Sequence, residues 1–226
     1  TATGTVAATD ADADAAFTYA IGTAAGTYGS LAMSGASWTY TLDNSDADTT
    51  ALDAGDSVTD AFTITVTETD SSATDTMTVT ITVTGADDAV DAGSAQTGAV
   101  TEDASTSTAT GTVAATDADA DAAFTYAIGT AAGTYGSLAM SGASWTYTLD
   151  NSDADTTALD AGDSVTDAFT ITVTETDSSA TDTMTVTVTI TGANDAPSAG
   201  SDGTGAVTED ASTSTATGSV SATDAD

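Results

Sequence analysis

Asp117-Ala118-Asp119-Ala120-Asp121 sets three carboxylates at alternate positions directly after a Thr- and Ala-rich run. A turn built this way can aim several carboxylates at one point, which is the chemistry of a hard-cation site. The pattern stands also at Asp10, Asp12 and Asp14, and again at Asp224 and Asp226. It lacks the glycine and terminal glutamate of an EF-hand loop and is not that motif. Other carboxylates gather at predicted strand ends. Glu175 stands with Asp177, and Glu68 with Asp70; Glu102 stands with Asp103, and Glu209 with Asp210. Asp160 and its copy Asp53 open turns, while Asn194-Asp195 and its copy Asp87-Asp88 lie in linkers. Glu175 and Asp177 are expected on one face at the end of a strand. A solvated acidic turn is the plain alternative for any one of these pairs. The collection as a whole points to bound cations, because the chain has no basic residue to pair with any of it.

The chain has 35 acidic residues, no Lys, Arg or His, and a formal net charge of -35. Ser-His triads, Schiff-base chemistry and arginine clamps on phosphate all need residues that are absent, so the expectation is that this is not an enzyme. Phosphate backbones and anionic membrane surfaces repel such a chain, so neither nucleic acid nor a membrane is an expected partner. No apolar run approaches the ~18 residues of a membrane-spanning helix. With no nitrogen or sulfur side-chain ligand from His or Cys, calcium is the expected ion rather than zinc. There is no Cys to staple the fold. Charge at this density opposes compaction, but 40% of the residues are apolar and they are periodic, which argues against disorder.

The elements that must position these carboxylates come from a repeat. Thr3-Gly4-Thr5-Val6-Ala7-Ala8-Thr9-Asp10 returns 107 residues later at Thr110–Asp117, and in altered form at Thr217–Asp224. A unit of this size is a domain rather than a solenoid turn. Inside it the apolar period is two. Phe124, Tyr126 and Ile128 alternate with small residues, as do Trp145, Tyr147 and Leu149, and Phe169, Ile171 and Val173. The pattern predicts about seven short strands, at 98–101, 110–116, 123–128, 137–139, 144–149, 165–174 and 183–191, with Thr on the solvent face. One helical turn is allowed at 155–159. The fold class expected is all-β: tandem immunoglobulin-like or cadherin-like β-sandwiches of about seven antiparallel strands. Boundaries fall at the Gly-Ala-Asp/Asn-Asp linkers. Residues 1–88 form a repeat lacking its first strand, 89–195 a complete repeat, and 196–226 the first strand and start of the second strand of another. The chain opens in mid-pattern without an initiating Met or signal peptide, as expected of a window from a longer protein.

The motif series is specific. Gly111-Thr112-Val113, Asp117-x-Asp119, Phe124-x-Tyr126, Gly133-x-Tyr135-Gly136-x-Leu138, Trp145-x-Tyr147-x-Leu149, Leu159-x-x-Gly162, Asp167-x-Phe169 and Gly192-x-Asn194-Asp195-x-Pro197 together resemble the VCBS repeat. That family forms cadherin-like modules in giant secreted bacterial adhesins, and the match covers nearly all of each unit. Asp117-x-Asp119, Leu159-Asp160, Thr176-Asp177 and Asn194-Asp195 are similar, more distantly, to the calcium stations of cadherin repeats. The resemblance implies calcium at domain junctions and a secreted protein at the cell surface or in an extracellular matrix or biofilm. The first linker departs from the pattern with Val90 in place of Pro.

Two functions follow as expectations. One is a calcium-stiffened spacer, with neighbouring repeats of the same protein as partners. The other is a filament subunit that donates a β-strand to other copies of the chain. A sugar- or ice-binding module is a weaker third: Trp38, Tyr40, Trp145 and Tyr147 would stack on sugars only if they faced outward, and their alternation places them inward. The Thr76, Thr78, Thr80, Thr82 and Thr84 row reads as the solvent face of one strand.

Overall fold

The computed structural model describes residues 1–11, 15–120, 122–210, 212 and 215–226. Asp12, Asp14 and Asp121 of the acidic turns lie outside the described residues. The chain divides into two compact units. The first comprises Thr1–Val90 with Thr116–Ala123 and Glu175–Ala180; the second comprises Asp91–Ala115, Phe124–Thr174 and Thr181–Asp226.

In the first unit the strands are β1 (Ala2–Thr5), β2 (Phe17–Ile21), β3 (Gly29–Ser34), β4 (Ser37–Leu42), β5 (Ser57–Glu68) and β6 (Thr74–Thr84), with one short helix, α1 (Ala47–Thr50). They form two three-stranded sheets, β1-β4-β3 and β2-β5-β6. Alternation decides which side chains meet. Along β5, Phe62, Ile64 and Val66 are buried while Thr59, Ala61 and Thr63 are exposed. Phe62 and Ile64 join Leu31, Tyr40, Val79 and Ile81 in one core. Asp46 caps α1, its side chain accepting from the Asp48 N–H.

The second unit contains β7 (Gln96–Thr101), β8 (Thr108–Thr112), β9 (Phe124–Ile128), β10 (Gly136–Ser141), β11 (Ser144–Leu149), β12 (Ser164–Glu175) and β13 (Thr181–Thr191), then the two-residue strands β14 (Ser198–Ala199) and β15 (Ala222–Thr223). One sheet runs β10-β11-β8 and the other β7-β13-β12-β9. Trp145, Tyr147, Ile171, Val186 and Ile190 are all but fully enclosed. The Tyr147 and Phe169 rings meet at 5.8 Å, tilted by 55°.

With 47% of the described residues in strands and 2% in helix, the fold is the all-β, immunoglobulin-like or cadherin-like sandwich class expected. Three details differ from expectation. The β7 strand joins β13 in parallel, from Val186↔Gln96 to Thr191↔Thr101, while the other recorded ladders are antiparallel. The segment 205–208, the counterpart of the strand expected at 98–101, lies in none. Residues 155–158 are turn, and among the described residues the helical turn occurs at Ala47–Thr50 in the first unit. Among the described residues no helix is long and apolar enough to cross a membrane.

Candidate metal centre

The first unit's centre is built by three loops. Asp119 is brought inward because its own N–H donates to Asp117 Oδ1 at 3.1 Å, the short Asx turn that alternating Asp residues favour. The Asp88 N–H then donates to Asp119 Oδ2 at 2.9 Å, fastening the linker to this turn. Glu175 ends β12, where its N–H donates to the Ala180 carbonyl at 2.9 Å and closes the turn. The Ser178 hydroxyl donates to Glu175 Oε2, and Ser178 Oγ accepts from the Ala180 N–H at 3.0 Å. Ser179 takes a left-handed φ of 67° to complete the turn.

This arrangement uses one oxygen of each carboxylate and leaves the other. Asp117 Oδ2, Asp119 Oδ1 and Glu175 Oε1 are buried without a hydrogen-bond partner. The three side chains offer oxygens that all lie within 4.8 Å of one another. A calcium ion with Ca–O of about 2.4 Å spans opposite ligands about 4.8 Å apart, so the set fits one ion. Ser178 lowers the Glu175 pKa, but burial and the charges of Asp117, Asp177 and Asp87 outweigh it and push the carboxyl above its usual range. Anions forced together in this way need a cation, and the chain supplies no cationic side chain.

A second acidic group forms in the second unit. The Asp195 N–H donates to both carboxylate oxygens of Asp226, at 3.1 Å each. This repeats the Asp88–Asp119 bond 107 residues on. Glu102 is buried and its Oε2 accepts from the Ala193 N–H at 3.1 Å. Burial pushes the Glu102 carboxyl up, and Asp195, Asp103 and Asp226 add to it. Asp195 is raised by burial first and then by Asp103, Asp226 and Asp224. Asp103 holds a left-handed φ of 53° here.

The other sequence candidates are not among the three converging carboxylates. Asp177 is exposed and does not share a face with Glu175, because β12 ends at Glu175 and the turn breaks the alternation. Asp70, its copy, is likewise exposed, while Glu68 is buried and accepts from the Ser71 hydroxyl. Asp10 lines the same cleft as Glu68. Asp160 is an exposed turn residue whose carbonyl accepts from the Asp163 N–H, and Asp53 does the same for Asp56. Asn194, Glu209, Asp210 and Asp224 are exposed.

Sequence reasoning missed three acidic residues. Asp167 is buried on β12 and accepts from Thr134 N–H, Tyr135 N–H and the Tyr147 hydroxyl at 2.8, 3.1 and 2.8 Å. Asp60 does the same in the first unit. The signal was present: Asp167 occupies an inward register position between Val165 and Phe169. Asp182 was also missed; its carboxylate accepts from the Ala92 N–H at 2.9 Å and is held below the usual range by that bond and one from Thr183.

No protein-family model matches the chain, and no curated protein does. Solved structures similar to it include the protocadherin GammaB4 extracellular domain, with 15% identity, a TM-score of 0.43, and coverage of 94% of this chain and 35% of that one. Drosophila N-cadherin EC1-4 has 15% identity and a TM-score of 0.44, with 81% and 44% covered. Chicken VE-cadherin EC1-2 has 16% identity and a TM-score of 0.35, with 83% and 88% covered. The chain thus spans about a third of the first of these and under half of the second.

Proposed function

We propose that this chain is a calcium-stiffened extracellular spacer, a non-enzymatic run of VCBS-type repeats from a secreted adhesin or matrix protein. The observation that carries this reading is the convergence of the Asp117, Asp119 and Glu175 carboxylates, each of which keeps one buried oxygen without a hydrogen-bond partner. Calcium supplies the positive charge that such a group needs, and it accepts the all-oxygen, irregular ligand sets that turns provide. The residues that would hold it come from the second repeat, and the Asp88 amide ties the linker before that repeat to the same turn. An ion at this point stiffens the connection between successive repeats. The array then holds a distal module away from the cell.

The sugar-stacking reading loses support, since Trp145 and Tyr147 are 1% and 0% exposed. Isothermal titration with calcium, paired with small-angle scattering, tests the spacer. Binding with a rise in maximum dimension is expected. No heat of binding, with scattering unchanged by EDTA, would refute it.

A further inference from the structure

The strand β9 ends the sheet β7-β13-β12-β9, and β2 ends the sheet β2-β5-β6 in the same way. Both read Phe-Thr-Tyr-Ala-Ile, so this edge belongs to the repeat itself. Antiparallel ladders turn the backbone groups of alternate residues toward each neighbour. The Thr176 N–H donates to the Ala123 carbonyl at 2.9 Å, and the Gly129 N–H to the Thr170 carbonyl at 3.1 Å. In that register Thr125 and Ala127 face β12, and the N–H and C=O groups of Phe124, Tyr126 and Ile128 face the open side. In β2 the Thr69 N–H donates to the Ala16 carbonyl at 2.9 Å and the Gly22 N–H to the Thr63 carbonyl at 3.0 Å. Phe17, Tyr19 and Ile21 therefore present their backbone groups likewise.

Two other edges of the second unit are covered. The loop ahead of β10 lies along it, with the Leu138 N–H on the Ala131 carbonyl and the Gly133 N–H on the Gly136 carbonyl, at 2.8 Å each. At the end of β8, Gln96 Nε2 takes the Thr112 carbonyl at 2.6 Å. Edge strands are commonly blunted by Lys, Pro or an inward charge. None of these stands in β9. Its neighbour β12 shows no exposed acidic residue either, in a chain that has 35, because Asp167 and Glu175 are buried. Phe124, Tyr126 and Ile128 are only half-buried, whereas Phe169, Ile171 and Val173 of β12 are enclosed.

We propose that β9, with β2 as its equivalent, is a docking edge for the same strand of a second copy of this chain. Phe-Thr-Tyr-Ala-Ile is self-complementary when run antiparallel about its tyrosine. Tyr126 meets the partner's Tyr126, Phe124 meets the partner's Ile128, and Thr125 meets the partner's Ala127. The first two kinds of pair exchange main-chain hydrogen bonds, because theirs are the groups that face outward. Their side chains then cover one another on the core side of the joined sheet. Charge selects the occupant. A cationic partner is drawn to the acidic turns, whereas a second copy of this anionic chain can approach closely only where no carboxylate stands exposed. The contact is isologous, with a two-fold axis at the tyrosine pair. It rests on a sheet edge and not on calcium, so its failure leaves the spacer reading standing.

Size-exclusion chromatography with light scattering on the 226-residue chain tests it. Wild type should give species at multiples of 21.8 kDa that grow with concentration. They should grow with salt as well, since screening weakens the repulsion between copies and the pairing contains no ion pair. Thr125→Asp with Ala127→Asp, joined to Thr18→Asp with Ala20→Asp, sets like charges opposite one another across each new ladder. These four side chains are exposed, so tryptophan emission should stay as in wild type while every species above monomer mass vanishes. In assembled wild type, amide hydrogen exchange should slow at Phe124, Tyr126 and Ile128 and at Phe17, Tyr19 and Ile21. A wild type that is monomeric at every concentration and salt overturns the proposal. So does a folded four-site variant that assembles like wild type, or wild-type assembly without protection of those amides.

Discussion

Glu175 divides its two oxygens between two roles. Oε2 takes the Ser178 hydroxyl, which fixes the carboxylate, and Oε1 is left buried without a hydrogen-bond partner. Ser178 is thus a positioning residue: Ser178→Ala should weaken calcium binding several-fold in calorimetry without removing the site, since support of a ligand by its neighbours commonly tunes affinity by factors of about 10 to 100. Asp117→Asn with Asp119→Asn should go further and remove one calcium from the binding stoichiometry. An unchanged stoichiometry in that double variant would show that these residues are not ligands. Trp145 is structural. Its ring is 1% exposed and its N–H meets Gln96 Oε1 at 2.7 Å. Trp145→Ala should cost about 3–5 kcal/mol of the second unit's stability in denaturant titration, as large core deletions do. Trp38→Ala should cost the first unit less, because Trp38 is already half in solvent.

At the scale of elements, β7 does more than complete a sheet. Gln96 accepts from Trp145 and donates through Nε2 to the Thr112 carbonyl at 2.6 Å, so one side chain links β7, β11 and β8 across the sandwich. Gln96→Ala strands a buried indole N–H, a loss of about 1–3 kcal/mol. Measured in a Trp38→Phe background, the emission of Trp145 should report an earlier unfolding midpoint for the second unit. An unmoved midpoint would mean the glutamine merely sits beside the ring. The long hairpin β12–β13 carries the inward Phe169, Ile171, Val186 and Val188 and also ends at Glu175.

The whole molecule carries a net charge of -35, and its acidic centres decide how stability responds to pH. Glu102, Glu175 and Asp195 have carboxyl pKa values raised above the ordinary 4.5 for Glu and 3.8 for Asp. A raised carboxyl binds protons more readily folded than unfolded, so stability falls as pH rises through that window. Without calcium, the melting temperature should climb as pH is lowered from 7 toward 5. Below that, Asp43, Asp150 and Asp182 act in the opposite sense, because their lowered pKa values favour the fold only while they are ionised. Under the calcium proposal the first trend reverses: an ion that binds the ionised carboxylates stabilises the fold, so the melting temperature in calcium should fall on acidification. EDTA at neutral pH should therefore lower the melting temperature sharply, and magnesium should restore little of it. Parallel pH profiles with and without calcium would contradict this account.

The sequence by itself determined the class of fold and the chemistry available to it. A period of two in residues such as Trp145, Tyr147 and Leu149 is enough to place strands and an inward face, because side chains alternate across any β-strand. A complete lack of Lys, Arg and His restricts ionic chemistry to carboxylates and points to a hard cation. Local spacing could not say which carboxylates converge. Asp117, Asp119 and Glu175 are 58 residues apart at their extremes and meet only because the end of β12 folds beside the acidic turn. Spacing favoured Asp177 as much as Glu175, and only the ending of the strand separates the buried one from the exposed one. The partner of β7 was equally beyond reach, since parallel pairing with β13 joins residues 90 apart and leaves no local signature. Trp38 and Trp145 sit in identical sequence for many residues on either side. The enclosure of Trp145 comes with its bond to Gln96 of β7, a strand outside that stretch, and only the tertiary structure shows that pairing.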